Sequence, residues 1–214
     1  MTLPADFADA FATCPLVAIL RGVRPDEIDA VGDALVDAGF TLIEVPLNSP
    51  EPLKSIERLA ARLNGRAIVG AGTVLEPAQV RSVQQAGGRI IVSPNTDADV
   101  ISATVSAGLA SLPGYFTPSE AFAALKAGAH ALKLFPAEGA SSDVLKAHRA
   151  VLPAEVPVLA VGGVTPATLA TWRKAGARGF GLGSALYRAG MDASQVSKNA
   201  GAFVAAWRED SRGA

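Results

Sequence analysis

A parallel α/β barrel of the (β/α)8 TIM barrel type is the fold this sequence predicts, on three observations. Eight short apolar runs rich in β-branched residues recur roughly 20–26 residues apart, the spacing of strand-plus-helix units. The runs are nearly continuous rather than alternating, as in parallel strands covered by helices. The segments between them carry helix punctuation at both ends. Eight such units in 214 residues fill one compact barrel, so residues 1–214 are expected to form a single domain. An open doubly wound sheet is the alternative. It has fewer strands at this length and a glycine-rich turn after the first, where this chain has Leu20-Arg21-Gly22.

The runs are Leu16–Leu20, Thr41–Leu47, Ala67–Val69, Arg89–Val92, Gly108–Leu112, Ala131–Phe135, Val156–Val161 and Gly179–Leu182. Between them, Pro25, Pro52, Pro77, Pro118 and Pro166 sit where a first helical turn begins, a place that tolerates the missing N–H. Thr117 and Thr165 precede two of these prolines and are expected N-caps. The pair Ala-Gly recurs at 38–39, 86–87, 107–108, 127–128 and 175–176, each time just before the next run. Glycine there accepts the left-handed conformation with which many helices end.

Composition narrows the function classes. The formal net charge is -1, so no basic field exists to attract nucleic acid or an anionic membrane. An anionic ligand must therefore be met by local positive groups. Cys14 is the only cysteine, so no disulfide forms within the chain, which suits a reducing cytoplasm. Asp6 and Asp9 near the start, with no basic segment, argue against a signal peptide. The apolar runs are too short to span a bilayer as helices. A cytoplasmic protein acting on small molecules is the expectation.

Barrels place their chemistry at the C-terminal ends of strands. Lys133 is the strongest signal there. The other five lysines, at 54, 126, 146, 174 and 198, fall in helical stretches, whereas Lys133 interrupts Ala131-Leu132-Lys133-Leu134-Phe135. Strand alternation turns Leu132 and Leu134 towards the helices and Lys133 into the barrel. Burial disfavours an ammonium, and a neutral amine is a nucleophile towards carbonyls. Glu44 interrupts Ile43-Glu44-Val45 in the same way and is expected across the barrel from Lys133. Arg21, at the first strand end, can share the Glu44 charge. The bland alternative is a structural Glu44–Lys133 ion pair. The last two strand ends, Gly162-Gly163 and Gly181-Leu182-Gly183-Ser184, have the glycine-rich form that lets backbone N–H groups approach a phosphate. His130 and His148 lack partners at metal-ligand spacing, and no metal site is expected. Cys14 has no activating base nearby in the sequence.

Six motifs then carry a resemblance: Ile19-Leu20-Arg21-Gly22, the run Ile43–Pro50 (IEVPLNSP), the run Val69–Leu75 (VGAGTVL), Ser93-Pro94-Asn95, the run Leu132–Glu138 (LKLFPAE) and the run Ala160–Pro166 (AVGGVTP). Their order and spacing, from about Pro15 to Trp207, resemble the KDPG/KHG aldolase family. That family comprises class I aldolases that cleave 2-keto-3-deoxy-6-phospho-sugar acids. The resemblance implies Lys133 as the Schiff-base lysine and Glu44 as the general acid/base. It implies Thr73 and Arg21 at the acid end of the substrate, and Gly162, Gly163, Gly183 and Ser184 at its phosphate. It further implies a homotrimer, pyruvate as a product, and chemistry that needs no metal or organic cofactor. Asn48-Ser49 stands where the family's gluconate enzymes carry arginine and threonine, Asn95 where they carry glycine, and Val161 where they often carry threonine. These departures place the chain nearer the galactonate branch, with Arg21 taking over the anion contact and Val161 shifting the preferred C4 epimer. Activity on 2-dehydro-3-deoxy-6-phosphogluconate or 4-hydroxy-2-oxoglutarate is the alternative within the family. Outside it stand a sugar-phosphate isomerase or epimerase, and a non-catalytic phospho-sugar acid binding protein.

Overall fold

Parallel pairing throughout one sheet organises the chain, as seen in a computed structural model that describes residues 3–211. Nine strand segments take part: β1 (Leu16–Ile19), β2 (Leu42–Pro46), β3 (Ile68–Gly72), β4 (Ile90–Val92), β5 (Ala110–Leu112), β6 (Gly114–Tyr115), β7 (Leu132–Leu134), β8 (Val158–Val161) and β9 (Gly179–Leu182). Their order is β5-β4-β3-β2-β1-β9-β8-β7-β6, and each pairing is parallel. The expected fifth run becomes two segments because Pro113 has no N–H for the ladder and interrupts it. The Pro113 carbonyl still accepts from the Lys133 N–H at 2.9 Å, and the Ser111 carbonyl accepts from Ala131 at 3.3 Å. These bonds draw the two ends of the sheet together into a nearly closed barrel.

Nine helices surround it among the described residues: α1 (Ala5–Thr13), α2 (Ile28–Ala38), α3 (Pro52–Arg62), α4 (Pro77–Gln85), α5 (Ala98–Ser106), α6 (Pro118–Ala127), α7 (Ser142–Arg149), α8 (Leu169–Lys174) and α9 (Ala193–Ser211). Pro52, Pro77 and Pro118 are the first residues of their helices, whereas Pro25 and Pro166 sit in turns that precede α2 and α8. Thr117 caps α6, accepting from the Glu120 N–H while the Glu120 carboxylate accepts from the Thr117 N–H at 2.7 Å. Thr165 does not cap α8. Its N–H donates to the Thr168 hydroxyl at 3.0 Å, and this turn delays the helix to Leu169. All five Ala-Gly pairs end in a glycine with positive φ, from +72° to +110°.

Two apolar layers result from the strand period of two. Outward residues such as Ile43, Val45, Leu132, Leu134 and Phe180 pack against the helices. Inward residues form a separate cluster of Val17, Ile19, Leu42, Ile90, Val92, Ala110, Leu112, Leu159 and Val161. Helix α1 was not expected from the strand rhythm. Its Phe7, Ala10 and Phe11 lie three and four residues apart on one face and join that inner cluster, so α1 closes the barrel below the first strand. Outside, α2 and α3 are joined by two rungs, Asp29–Arg58 and Asp33–Arg62, and Asp37 of α2 pairs with Arg66 in the turn after α3. Such exposed pairs are screened by solvent and contribute little, so the inner and outer apolar layers dominate stability.

The role of α1 is testable. Phe7 is buried beneath the inner cluster, so Phe7→Ala is expected to lower unfolding free energy by about 3–5 kcal/mol, read from urea denaturation midpoints at unchanged slope.

Candidate active site

The site grows from three facing strands. Register pairs Ile19 with Glu44 and Glu44 with Gly70, so β1, β2 and β3 present these inward positions at one level. On the far side, Lys133 pairs with Leu159, and Ala160 pairs with Phe180. Glu44 and Lys133 thus line one small cavity whose other walls are Val17, Ile19, Val92, Leu112, Leu159, Val161 and Gly181. Glu44 is 2% exposed and Lys133 7%. Among the described residues, no ion-pair contact joins them, and Glu44 Oε2 has no hydrogen-bond partner. They interact through space, and the structural ion pair weighed from the sequence does not form.

Burial governs both ionisations. Desolvation pushes the Glu44 carboxyl up to about 7, against the opposing pull of the Lys133 and Arg21 charges. Desolvation also pulls the Lys133 amine below its ordinary value, with Arg21 reinforcing the shift and Glu44 resisting it. Arg21 therefore favours a charged Glu44 and a neutral Lys133 together. The Lys133 ammonium position lies 4.6 Å from the centre of the Phe135 ring. Phe135, quoted in a motif but given no role, is thus the nearest aromatic wall to the amine.

Arg21 is held at the mouth by neighbours from other strand ends. Its guanidinium donates to Asn48 Oδ1 at 2.6 Å and to Thr73 Oγ1 at 3.5 Å. The Gly22 N–H donates to Ser49 Oγ at 3.0 Å, which pins the loop that carries Arg21. Asn48 and Ser49 thus orient the cation, a role hidden in the sequence because it is made across 27 residues. Thr73 has φ +57°, a left-handed conformation that costs a β-branched residue on the order of 1–3 kcal/mol. That cost fixes its hydroxyl beside Arg21.

Glycines shape the opposite rim. Gly162 and Gly163 follow β8 with φ +109° and +67°, and Gly183 and Ser184 follow β9. Val161 and Gly181, just before these turns, line the cavity of Lys133, so the turns rim the same opening. Gly183 N–H aside, the N–H groups of Gly163, Val164, Ser184 and Ala185 have no acceptor among the described residues. Such unpaired donors at adjacent turns suit an oxyanion. Of the residues singled out from the sequence, Glu44 and Lys133 share one cavity, Arg21 lies near enough for its charge to act on both and is joined to Thr73, and Gly162, Gly163, Gly183 and Ser184 lie in the turns that follow β8 and β9.

Other candidates fall away from this mouth. His130 Nδ1 accepts from the Ser111 N–H at 3.1 Å, and His148 packs on Tyr115. Burial pushes the Cys14 thiol up, away from reactivity. A roomier hollow of about 630 Å³ lies by α1 at the opposite end of the barrel, but its Asp6 and Arg89 neutralise each other at 2.7 Å. Strand geometry and the buried charges favour the small cavity as the site.

Comparison with known proteins agrees with this geometry. The family model for KDPG and KHG aldolases matches residues 8–200. The chain is 49% identical over 195 residues to the 2-dehydro-3-deoxy-6-phosphogalactonate aldolase of Escherichia coli K12, covering 91% of this chain and 95% of that one. A solved structure described as native KDPGal superposes with a TM-score of 0.91 at 48% identity, covering 92% of this chain and 96% of that one. A cube-shaped protein cage, designed by fusing symmetric oligomeric domains, contains a similar fold, with a TM-score of 0.92 at 48% identity over 93% of this chain and 74% of that one.

The raised Glu44 ionisation carries a stability signature. Its folded value, about 7, lies above the ordinary 4.5, so the unfolded chain loses this proton first as pH rises. Stability from this group is therefore intact below about 4.5 and falls between about 4.5 and 7. Glu44→Gln removes the cost. Its unfolding free energy is expected to gain on the parent across that window, by on the order of 3 kcal/mol at pH 8, and to show no gain at pH 4.

Proposed function

The chain belongs to the KDPG and KHG aldolase family, and from that premise we propose that it is a class I aldolase cleaving 2-dehydro-3-deoxy-6-phospho-D-galactonate to pyruvate and D-glyceraldehyde 3-phosphate. The observation that carries the reading is Lys133, an amine buried in an apolar barrel with no ion-pair contact to its nearby carboxylate. The name of the Escherichia coli relative supports the substrate.

The mechanism follows from the two shifted groups. Neutral Lys133 attacks the C2 ketone of the substrate, and the carbinolamine loses water to give a protonated imine. Glu44, directly or through a water, takes the proton of the C4 hydroxyl. The C4 oxygen then forms the aldehyde carbonyl as the C3–C4 bond breaks. That bond's electron pair becomes the C2–C3 double bond, and the imine pair moves onto nitrogen. D-glyceraldehyde 3-phosphate leaves, with the enamine of pyruvate still attached to Lys133. Glu44 returns its proton to C3, and water hydrolyses the resulting imine to release pyruvate and free amine. The imine is the electron sink, so the scheme calls on no metal or organic cofactor. A value near 7 suits Glu44 to both directions of transfer, worth typically 10²–10⁴-fold.

The remaining roles complete the proposal. Arg21 and Thr73, joined to each other at the mouth, bind the carboxylate of the substrate. The N–H groups around Gly162, Gly163, Gly183 and Ser184 bind its phosphate. Val161, an apolar wall of the cavity, offers no hydrogen bond to a C4 hydroxyl and so favours the galactonate epimer over the gluconate one. Counting β5 and β6 as one strand interrupted at Pro113, the fold is a single (β/α)8 domain. The symmetric oligomeric domains of the related cage support an oligomer, and the homotrimer is the form the family resemblance implies. Among the described residues no helix is long and apolar enough to cross a membrane.

Borohydride treatment with pyruvate tests the chemistry. A stable mass adduct mapping to Lys133 is expected, and Lys133→Ala is expected to lose both adduct and turnover while keeping its circular dichroism spectrum. A folded native protein that forms no adduct sinks the imine scheme and moves the weight to an isomerase or a binding protein. For the epimer, Val161→Thr is expected to raise the ratio of kcat/KM for the gluconate substrate to that for the galactonate substrate, by roughly 10-fold for one new hydrogen bond. An unchanged ratio removes Val161 from specificity.

A further inference from the structure

The Glu44 carboxylate occupies space that a side chain at position 72 would fill. A Cβ built on Gly72 meets both carboxylate oxygens and Cδ of Glu44 at under 3.0 Å, closer than real Cβ atoms approach. Gly72 lies outside the left-handed region, so its backbone does not require glycine. Only the missing volume distinguishes it from alanine. Gly70, on the same face of β3, is crowded instead by the backbone carbonyl and side chain of Ile90. The two inward glycines of one strand thus serve different neighbours.

The register explains how the contact arises. Glu44 stands opposite Gly70, and Pro46 stands opposite Gly72. Its carboxylate lies against Gly72, so the side chain leans towards the C-terminal end of the strands. That lean carries the carboxylate from the apolar middle of the barrel towards the mouth. Glu44 Oε2 has no hydrogen-bond partner. Packing, not a hydrogen bond at that oxygen, sets where the carboxylate rests.

We infer that Gly72 is a positioning residue for the proposed reaction: its empty side-chain volume lets the Glu44 carboxylate lie against β3 at the level where it meets substrate bound to Lys133. The inference rests on the proposed role of Glu44. Any side chain at 72 displaces the carboxylate inwards or back towards Ile19, and proton transfer suffers before binding does. The three nearest atoms to that Cβ all belong to Glu44, so the expected effect falls first on proton transfer.

A two-by-two set of Gly72→Ala and Glu44→Ala variants tests this. Gly72→Ala is expected to lower kcat by on the order of 10²-fold with little change in KM, and still to trap pyruvate on Lys133 with borohydride. It is expected to lower the melting temperature of the native chain, yet to leave that of Glu44→Ala unchanged, because the obstructing carboxylate is gone. On the Glu44→Ala background it is also expected to leave the residual rate unchanged. Gly72→Ala with native kcat and pH profile overturns the inference, as does an equal loss of rate or melting temperature on both backgrounds. Should Gly72→Ala alone fail to fold, a folded double variant melting with Glu44→Ala still upholds the steric coupling, and a double variant that also fails to fold overturns it. Failure of the native protein to trap pyruvate strikes the aldolase reading instead, and the melting comparison stands apart from it.

Discussion

Two ionisable side chains buried in one apolar cavity, without contact between them, set the terms for this molecule. An isolated charge among Val, Ile and Leu side chains costs several kcal/mol, and the usual relief is a direct ion pair or loss of the charge. Here Glu44 and Lys133 take the second course in part. The carboxyl rises to about 7 and the amine falls. Had they closed into an ion pair, each would have held the other charged, and neither would be poised for proton transfer or nucleophilic attack. The barrel keeps them on separate strands, β2 and β7, as two walls of one small cavity.

Arg21 makes that separation workable. It is exposed at the mouth, yet its charge acts on both buried groups in the useful direction. Its position depends on residues far apart in the chain: Asn48 and Thr73 on the guanidinium, Ser49 on the adjoining backbone. The β2 loop is thus more than a connection. In the proposed reaction the group that receives the substrate carboxylate also tunes the acid and the amine, so binding and ionisation would be coupled there. A bound carboxylate would neutralise Arg21 and shift both equilibria at the moment chemistry begins.

Small residues do the shaping elsewhere. Gly181 of β9 is packed closely by Val161 and Ile19, which a Cβ there would meet at 2.7–3.2 Å, so glycine lets these two walls of the cavity close in. The turns after β8 and β9 leave backbone donors unpaired among the described residues. The left-handed Thr73, after β3, adds strain on the other side of the mouth. Stability supplied by the two apolar layers tolerates these local costs, and they cluster at one end of the strands.

The fold class was legible because its signals are local. Apolar runs, prolines at helix starts and glycines at helix ends each act within a few residues, and the alternation of a strand turns Lys133 and Glu44 inward whatever lies across from them. Helix α1 escaped notice because it belongs to no strand–helix unit, and Thr165 misled because a capping residue looks the same in a turn. What only the tertiary structure decided is the set of contacts across long sequence separations. These include the break at Pro113 that divides a strand, the hold of Asn48 on Arg21, the free Glu44 carboxylate, and its rest against Gly72. Sequence alone determined which residues face the interior, since that is a matter of period. It could not determine how near they come or which atoms remain unpaired, since those follow from the register and curvature of neighbouring strands.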